Sequence, residues 1–393
     1  MTAADDEERI ARAVLLRVAE PATKGVVRHV RAVGPIEAVD DIRRGRAIPD
    51  VDVAALQQRA LGADGDAEIE AGARLGARLL CPRDADWPPA LDDLAGLDAD
   101  CFGLWVRGAV ALADACREAV AIVGTRAATS YGVQVAGDLA AGVAERGWTV
   151  VSGLAFGIDA AAHRGALAVG GLTVGVLACG VDVPYPRAHR SLCDRLVADG
   201  ALVSEHPPGT APQRPRFLVR NRLIAALAAG TVVVEAAPRS GARSTARHAA
   251  ELYRHVMVVP GPVTSTLSAG CHQLLRDRPD AVLVTKADEV IEQIGPLGAF
   301  AERVSGPVRR RDLLGPAVSR VLDAVPVMRP VAAAKIAVTA GMRADAVAAA
   351  LAALAVHGLV EQSDWGWRMT KLGRAERRHQ PDRRDEELPL AWL

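Results

Sequence analysis

Between residues 214 and 247, seven arginines (Arg214, Arg216, Arg220, Arg222, Arg239, Arg243 and Arg247) accompany a single acid, Glu235. The whole chain of 393 residues is neutral, with 47 basic and 47 acidic side chains, but an anion responds to local potential rather than to the average. Lysine supplies only 4 of the 47 basic residues, so arginine is the default cation here and its abundance alone does not specify phosphate recognition.

Spacing is more informative. In AIVGTRAATSYG (121–132), Gly124 and Gly132 flank Thr125, Arg126 and Ser130, a turn able to offer backbone N–H groups and a guanidinium to a phosphate. In VSGLAFGIDAAAH (151–163), the small residues Ser152, Gly153 and Gly157 precede a helix that Asp159 is placed to cap. Loops of the same character follow at 179–186, 204–222, 235–251 and 260–275. Phe217 adds one aromatic face beside Arg214, Arg220, Asn221 and Arg222, and stacking next to phosphate contacts is the pattern of single-strand binding.

Other chemistries lack their residues. No G-x-G-x-x-G occurs at 124–132, no Gly-Lys-Ser/Thr of a P-loop, and no nucleophile elbow G-x-S-x-G, so no nucleotide cofactor and no catalytic residue is expected. The six cysteines are scattered without a C-x-x-C pair, which excludes a disulfide scaffold and a structural zinc site. No run of 18 apolar residues and no basic leader appears, so a cytoplasmic protein without a membrane partner is expected.

These loops need elements to hold them. Eight short apolar runs (102–107, 119–124, 149–153, 173–178, 201–205, 231–236, 256–261 and 281–285) read as strands, with helices at 131–146, 158–169, 188–199, 217–229 and 243–254. Continuous apolar strands alternating with helices mean a mostly parallel sheet covered on both faces. The expected fold is therefore α/β and doubly wound (Rossmann-like), with the loops converging along one edge. Residues 1–78 read as a small helical module, with one helix opening at Pro21 and the next at Gly34-Pro35. The sheet domain is expected at 79–298 and a Gly/Pro-rich linker at 299–312. Three helices and a hairpin over 313–372 read as a winged helix, and a charged, disordered tail is expected from Lys371, occupying 373–393.

The blocks VGTRAATSYG, VSGLAFGIDAAAHRGAL, GVDVPYP, SEHPPG…RFLVRNRLIA, VVVEAAPRSGARSTA and VPGPVTSTLSAG, in this order, resemble the DNA-processing protein A family, also called Smf. The resemblance covers roughly 85–294 and implies a dimeric single-stranded DNA-binding protein that loads the RecA recombinase during natural transformation, without catalysis. It implies Arg126 as a phosphate contact in a G-[ST]-R turn, Arg214 as the basic position three before the family's Phe, here Phe217, and Arg220-Asn221-Arg222 as its R-N-R. It further implies contacts through Ser240, Gly241 and Thr245 of an S-G-x-x-x-T-A loop, where Arg243 replaces a usual apolar residue. His272 stands where the family usually has Asn. The implied homodimer surface lies around 276–294, with Val282, Val284, Val290, Ile291 and Ile294 available to bury.

Two other readings use the same residues differently. A nucleotide hydrolase similar to the LOG phosphoribohydrolases would need P-G-G-x-G-T-x-x-E, where this chain has A-P-R-S-G-A-R-S-T-A. A transcription factor would need Arg, Asn or Gln on its recognition helix, where MRADAVAAALAAL offers only Arg343 near its start.

Overall fold

The computed structural model describes residues 3–296 and 314–377, and the chain divides into two compact units, Met1–Ala301 and Glu302–Leu393. The linker expected at 299–312 and the tail beyond residue 377 lie outside the described residues.

In the first unit, the described residues build a nine-stranded sheet from β1 (Ala77–Leu80), β2 (Leu104–Arg107), β3 (Ala119–Val123), β4 (Thr149–Ser152), β5 (Thr173–Val176), β6 (Ala201–Ser204), β7 (Gly230–Val233), β8 (His255–Val258) and β9 (Val282–Leu283). The order is β1-β2-β6-β5-β4-β3-β7-β8-β9. From β6 to β9 all neighbours run parallel, while β2 pairs antiparallel with both β6 and β1. All eight runs read as strands are strands, and the fold is the mostly parallel, doubly wound α/β sheet expected. β1 has no counterpart among those runs, and it spans the 78/79 boundary drawn from the sequence.

Alternation along β3 shows why the strands are apolar throughout. Val120 and Ile122 enter a core with the helices Ser130–Glu145, Ile158–Ala168 and Ala287–Ile294, whereas Ala119, Ala121 and Val123 face Arg214–Ala226 and Ala242–Glu251. Its register sets Ile122 opposite Val232 of β7 and Ala121 opposite Val151 of β4. A strand buried on both faces has no solvent side on which to place polar residues.

The N-terminal helices Ala3–Val18, Lys24–Val33, Pro35–Arg43, Val53–Leu61 and Gly65–Arg74 pack over the antiparallel edge. Their core includes Leu15, Val27 and Ile42 together with Leu79 and Trp105 of the sheet and Phe102 just before β2. Pro21 does not open a helix; the helix begins at Lys24, and Gly34 then separates it from the one that Pro35 starts.

The second unit contains helices Pro316–Ala324, Ala333–Ala340 and Ala344–Val356 and a hairpin of β10 (Val360–Ser363) with β11 (Gly366–Met369), consistent with a winged helix. Its core gathers Leu322, Ile336, Val347, Leu351, Leu354 and Met369. Lys371–Arg377 is a helix rather than the start of a disordered tail; the Thr370 hydroxyl accepts the Gly373 amide at its start (3.0 Å). Among the described residues no single helix is long and apolar enough to cross a membrane.

Candidate functional site

The chain winds from β3 through β4 and β5 to β6 in one direction and from β7 through β8 to β9 in the other, so the loops part between β3 and β7. A crevice at such a switch point is where open α/β sheets bind ligands. Here the crevice encloses about 690 Å³. Ten of the fifteen residues singled out from the sequence line it: Gly124, Thr125, Arg126, Arg214, Phe217, Arg220, Asn221, Ser240, Gly241 and Thr245. Ser152, Gly153, Gly157, Arg222 and Arg243 do not.

The arginines divide by partner. Arg126 is exposed, with its guanidinium 5.0 Å from the Phe217 ring centroid. Among the described residues, no carboxylate lies within salt-bridge distance of Arg126, Arg214 or Arg239, and all three line the crevice. Arg216 instead forms a two-pronged pair with Glu20 of the N-terminal helical region (2.6 and 2.9 Å). Arg243 donates to the Pro238 carbonyl (2.9 Å) and the Gln273 side chain (2.5 Å), with Asp277 at 3.4 Å. Arg247 lies beside Glu251 at 3.7 Å.

Arg220 and Arg222 lie on different faces of their helix, as a spacing of two requires. Arg222 donates to both carboxylate oxygens of Glu205 (2.6 and 2.8 Å), with side chains only 3% and 4% exposed. Arg220 forms part of the crevice wall. It donates to the carbonyls of Gly153 (2.9 Å) and Val176, and burial depresses its pKa to about 10 despite Asp159 nearby. Gly153 is required by this contact, since a Cβ there would lie 2.6 Å from the guanidinium carbon. Asp159 also lines the crevice, and burial raises its pKa while Arg220 and the amides of Ala155, Gly124 and Gly153 oppose that shift. The Gly153 amide reaches its Oδ2 at 3.2 Å, so Asp159 braces the preceding turn instead of capping the helix that begins at Ile158.

Several of the backbone N–H groups of the 124–132 turn, expected as a phosphate cradle, are engaged within the chain. The Thr125 amide donates to the Glu235 carbonyl (2.7 Å), the Ala127 amide to Thr125 Oγ1 (3.3 Å) and the Gly132 amide to Thr129 Oγ1 (3.1 Å). The Glu235 carboxylate itself accepts the Thr129 amide (3.0 Å) and hydroxyl (2.6 Å). An internal anion thus sits at the N-terminus of Ser130–Glu145, while the guanidinium of Arg126 has no carboxylate partner among the described residues and stays exposed to meet a phosphate. Ser152 is likewise committed: it is fully buried and donates to the Ile122 carbonyl (2.7 Å).

On the far wall, Asn221 donates to the Gly241 carbonyl (3.2 Å) and Ser240 accepts the Ala242 amide (3.3 Å), which fixes the loop after β7. Thr245 is buried beneath that loop. The sequence reading missed Tyr185 and Arg239 as lining groups. Tyr185 stands 5.2 Å from Phe217 between ring centroids. Arg239 carried a visible signal, a cation in the loop after a strand, while Tyr185 carried none beyond its place in GVDVPYP.

His272 Nε2 lies 3.1 Å from the Gly261 carbonyl, so this substitute for Asn has a partner within the chain. The apolar residues offered as a dimer surface have a different role. Val284, Val290 and Ile291 are fully buried in the chain's own core and Val282 and Ile294 pack against it, completing the last strand–helix unit. Leu283 is the exposed apolar residue of that segment, at 48%.

Residues 78–295 match the family model described as DNA recombination-mediator protein A. A Mycobacterium tuberculosis protein named for DNA processing (DprA) is 46% identical over 369 residues, covering 92% of this chain and 94% of that one. The DNA processing protein DprA of Bacillus subtilis is 37% identical over 49% of this chain and 63% of its own length. Among solved structures, DNA processing protein A from Streptococcus pneumoniae superposes with a TM-score of 0.61 at 30% identity, over 73% of this chain and 98% of that one.

Proposed function

The chain belongs to the DNA recombination-mediator protein A family, and on that premise we propose that its crevice binds single-stranded DNA, without a cofactor or a covalent step, and presents it to the RecA recombinase. The observation that carries this reading is that Arg126, Arg214 and Arg239, without carboxylate partners among the described residues, line one crevice with Phe217, whose ring Arg126 covers. Free guanidiniums supply phosphate contacts, and an aromatic face supplies stacking for a base whose own face is open. A duplex base has both faces covered, so the combination selects an unpaired strand. The second unit adds little for duplex readout: Arg343 is paired with Asp345 (2.9 Å), and the exposed face of Ala344–Val356 is mostly alanine.

Transfer to RecA and assembly as a homodimer follow from the family resemblance and from the benefit of two linked sites on one strand. The deciding experiment is a salt titration with a single-stranded oligonucleotide, a duplex and a mononucleotide. The reading requires tight, Mg²⁺-independent binding of the single strand alone, with a log K against log salt slope of about −0.7 per phosphate contacted. Equal affinity for duplex would overturn it. Faster RecA filament nucleation on strands coated by this protein, lost in Arg126→Ala, would support the transfer step.

A further inference from the structure

Four phenylalanines and three tyrosines occur in the chain, and of these seven, Tyr131, Phe156, Tyr185 and Phe217 lie along the edge where the strands end. Phe217 and Tyr185 line the crevice. Tyr131 is tied by its hydroxyl to the Pro260 carbonyl (2.6 Å). Phe156 has no such role: it is 47% exposed, on the loop after β4, and belongs to none of the buried cores.

The loop that carries Phe156 is held from several sides. Arg220 blocks Gly153, and Leu154 is fully buried with φ at +55°, a conformation costly for any side chain but glycine. The Leu154 carbonyl is met by His189 Nδ1 at 2.9 Å. Gly157, at φ +77°, packs so closely on the next loop that a Cβ would lie 2.7 Å from the Arg126 carbonyl. A rigid, strained loop therefore keeps an aromatic ring half in water, one residue from a contact with the Arg126 backbone.

The ring is also oriented. It meets buried His189 edge-on, with centroids 4.7 Å apart and planes at 69°. His189 follows Tyr185 by four residues, and Tyr185 in turn touches Phe217 at 5.2 Å. Two aromatic pairs thus stand on the loops at this edge, Phe217 with Tyr185 beneath Arg126 and Phe156 with His189, and Ala155, the neighbour of Phe156, itself lines the crevice.

We infer that Phe156 is a second base-stacking platform, a subsite for an unpaired base of the strand whose phosphate contacts lie at Arg126. The inference rests on the crevice reading and deepens it by giving the strand a direction, out of the crevice along the loops after β4 and β5. A single exposed phenylalanine needs no explanation on a protein surface; one held by a strained loop beside a residue of the crevice wall does.

The test uses the full chain and two oligothymidylates, a short one of about 4 nucleotides and a long one of about 20, lengths that bracket the span of a single binding fold. Phe156→Ala should weaken the long strand roughly tenfold, the loss of one base stack, and leave the short strand unchanged. Phe156→Trp should bind the long strand like the parent, and its added indole emission should be quenched by the long strand and much less by the short one. Phe156→Leu, which keeps apolar bulk without a ring face, should behave like Phe156→Ala. Parent-like binding by Phe156→Ala or Phe156→Leu, or equal loss for both lengths, would overturn the subsite. Arg126→Ala separates this from the crevice itself. It should weaken both lengths: if it leaves both bound, the crevice reading falls and the platform with it, whereas loss at both lengths beside parent-like Phe156→Ala removes the platform alone.

Discussion

Glu235 and Thr129 are 106 residues apart in sequence, and the carboxylate of one accepts both the amide and the hydroxyl of the other. The end of β7 thereby neutralises the helix that follows β3, inside the switch point. Glu235→Ala should lower stability by about 1.5–3 kcal/mol, the range for hydrogen bonds to a charged group. It also vacates the helix N-terminus for an external anion. Inorganic phosphate should then raise the melting temperature of the variant more than that of the parent; equal shifts would show that the carboxylate is not the resident anion.

Arg126 predicts the opposite pattern. It is exposed and supports no core, so Arg126→Ala should leave the thermal melt unchanged while weakening single-strand binding. The salt slope should shrink by about 0.7, one phosphate contact. A lowered melt with intact binding would reverse its assignment.

Arg222 is structural. Arg222→Ala strands Glu205 as a buried, uncompensated charge and should cost about 3–5 kcal/mol in a denaturant titration, whereas removing both charges as Arg222→Met with Glu205→Leu should recover most of that loss. At temperatures where the single variant remains folded, its DNA affinity should match the parent. Specific loss of affinity would place Arg222 in the site after all.

The segment 276–294 offers a direct contrast. Val290 is fully buried, so Val290→Asp should unfold the sheet unit rather than yield a monomer. Leu283→Asp, at an exposed position, should preserve the melt. If the parent sediments as a dimer and Leu283→Asp does too, the contact between copies lies outside this strand.

Acid stability should depend on two buried histidines. Burial pushes the pKa of His163 down to about 3, with His189 and Arg220 adding to the effect, and that of His206 down to about 4, with Arg216 beside it. The folded state therefore binds fewer protons than the unfolded chain below the ordinary value of 6.5. Stability is complete above that pH and falls as pH drops through the window towards about 4, by at most about 1.4 kcal/mol per pH unit for each group. His163→Asn, which keeps a donor for Thr173, should flatten the decline measured at pH 7, 6 and 5. An unaltered pH dependence would exclude His163 as a contributor.

The strands were legible because a sheet covered on both faces leaves each strand an unbroken apolar run, as AVAIV does in β3. ARLL of β1 is too short to separate from helix by pattern alone, and only pairing with β2 makes it a strand. The crevice loops were legible from their places after strands. What could not be read was which arginines were free. Arg216, Arg222 and Arg243 look like Arg214 and Arg239 in the sequence, and the acids that claim them, Glu20, Glu205 and Asp277, come from separate parts of the chain. The claim of Glu235 on the Thr129 amide and hydroxyl was hidden for the same reason, since nothing near Thr129 announces it.

Gly72 of the N-terminal region has no room for a Cβ because the fully buried ring of Trp105 lies against it. Along with Phe102 and Leu79, Trp105 is roofed by helices from outside the stretch that matches the family model at 78–295. That stretch is consequently not portable. Cut free by a protease or grafted onto another protein, it would present a wet tryptophan beside Leu79 and Phe102, and aggregation of that fragment on gel filtration is the expected outcome. Any side chain at Gly72 therefore requires a smaller residue at Trp105, so Gly72→Ala should destabilise the sheet's edge.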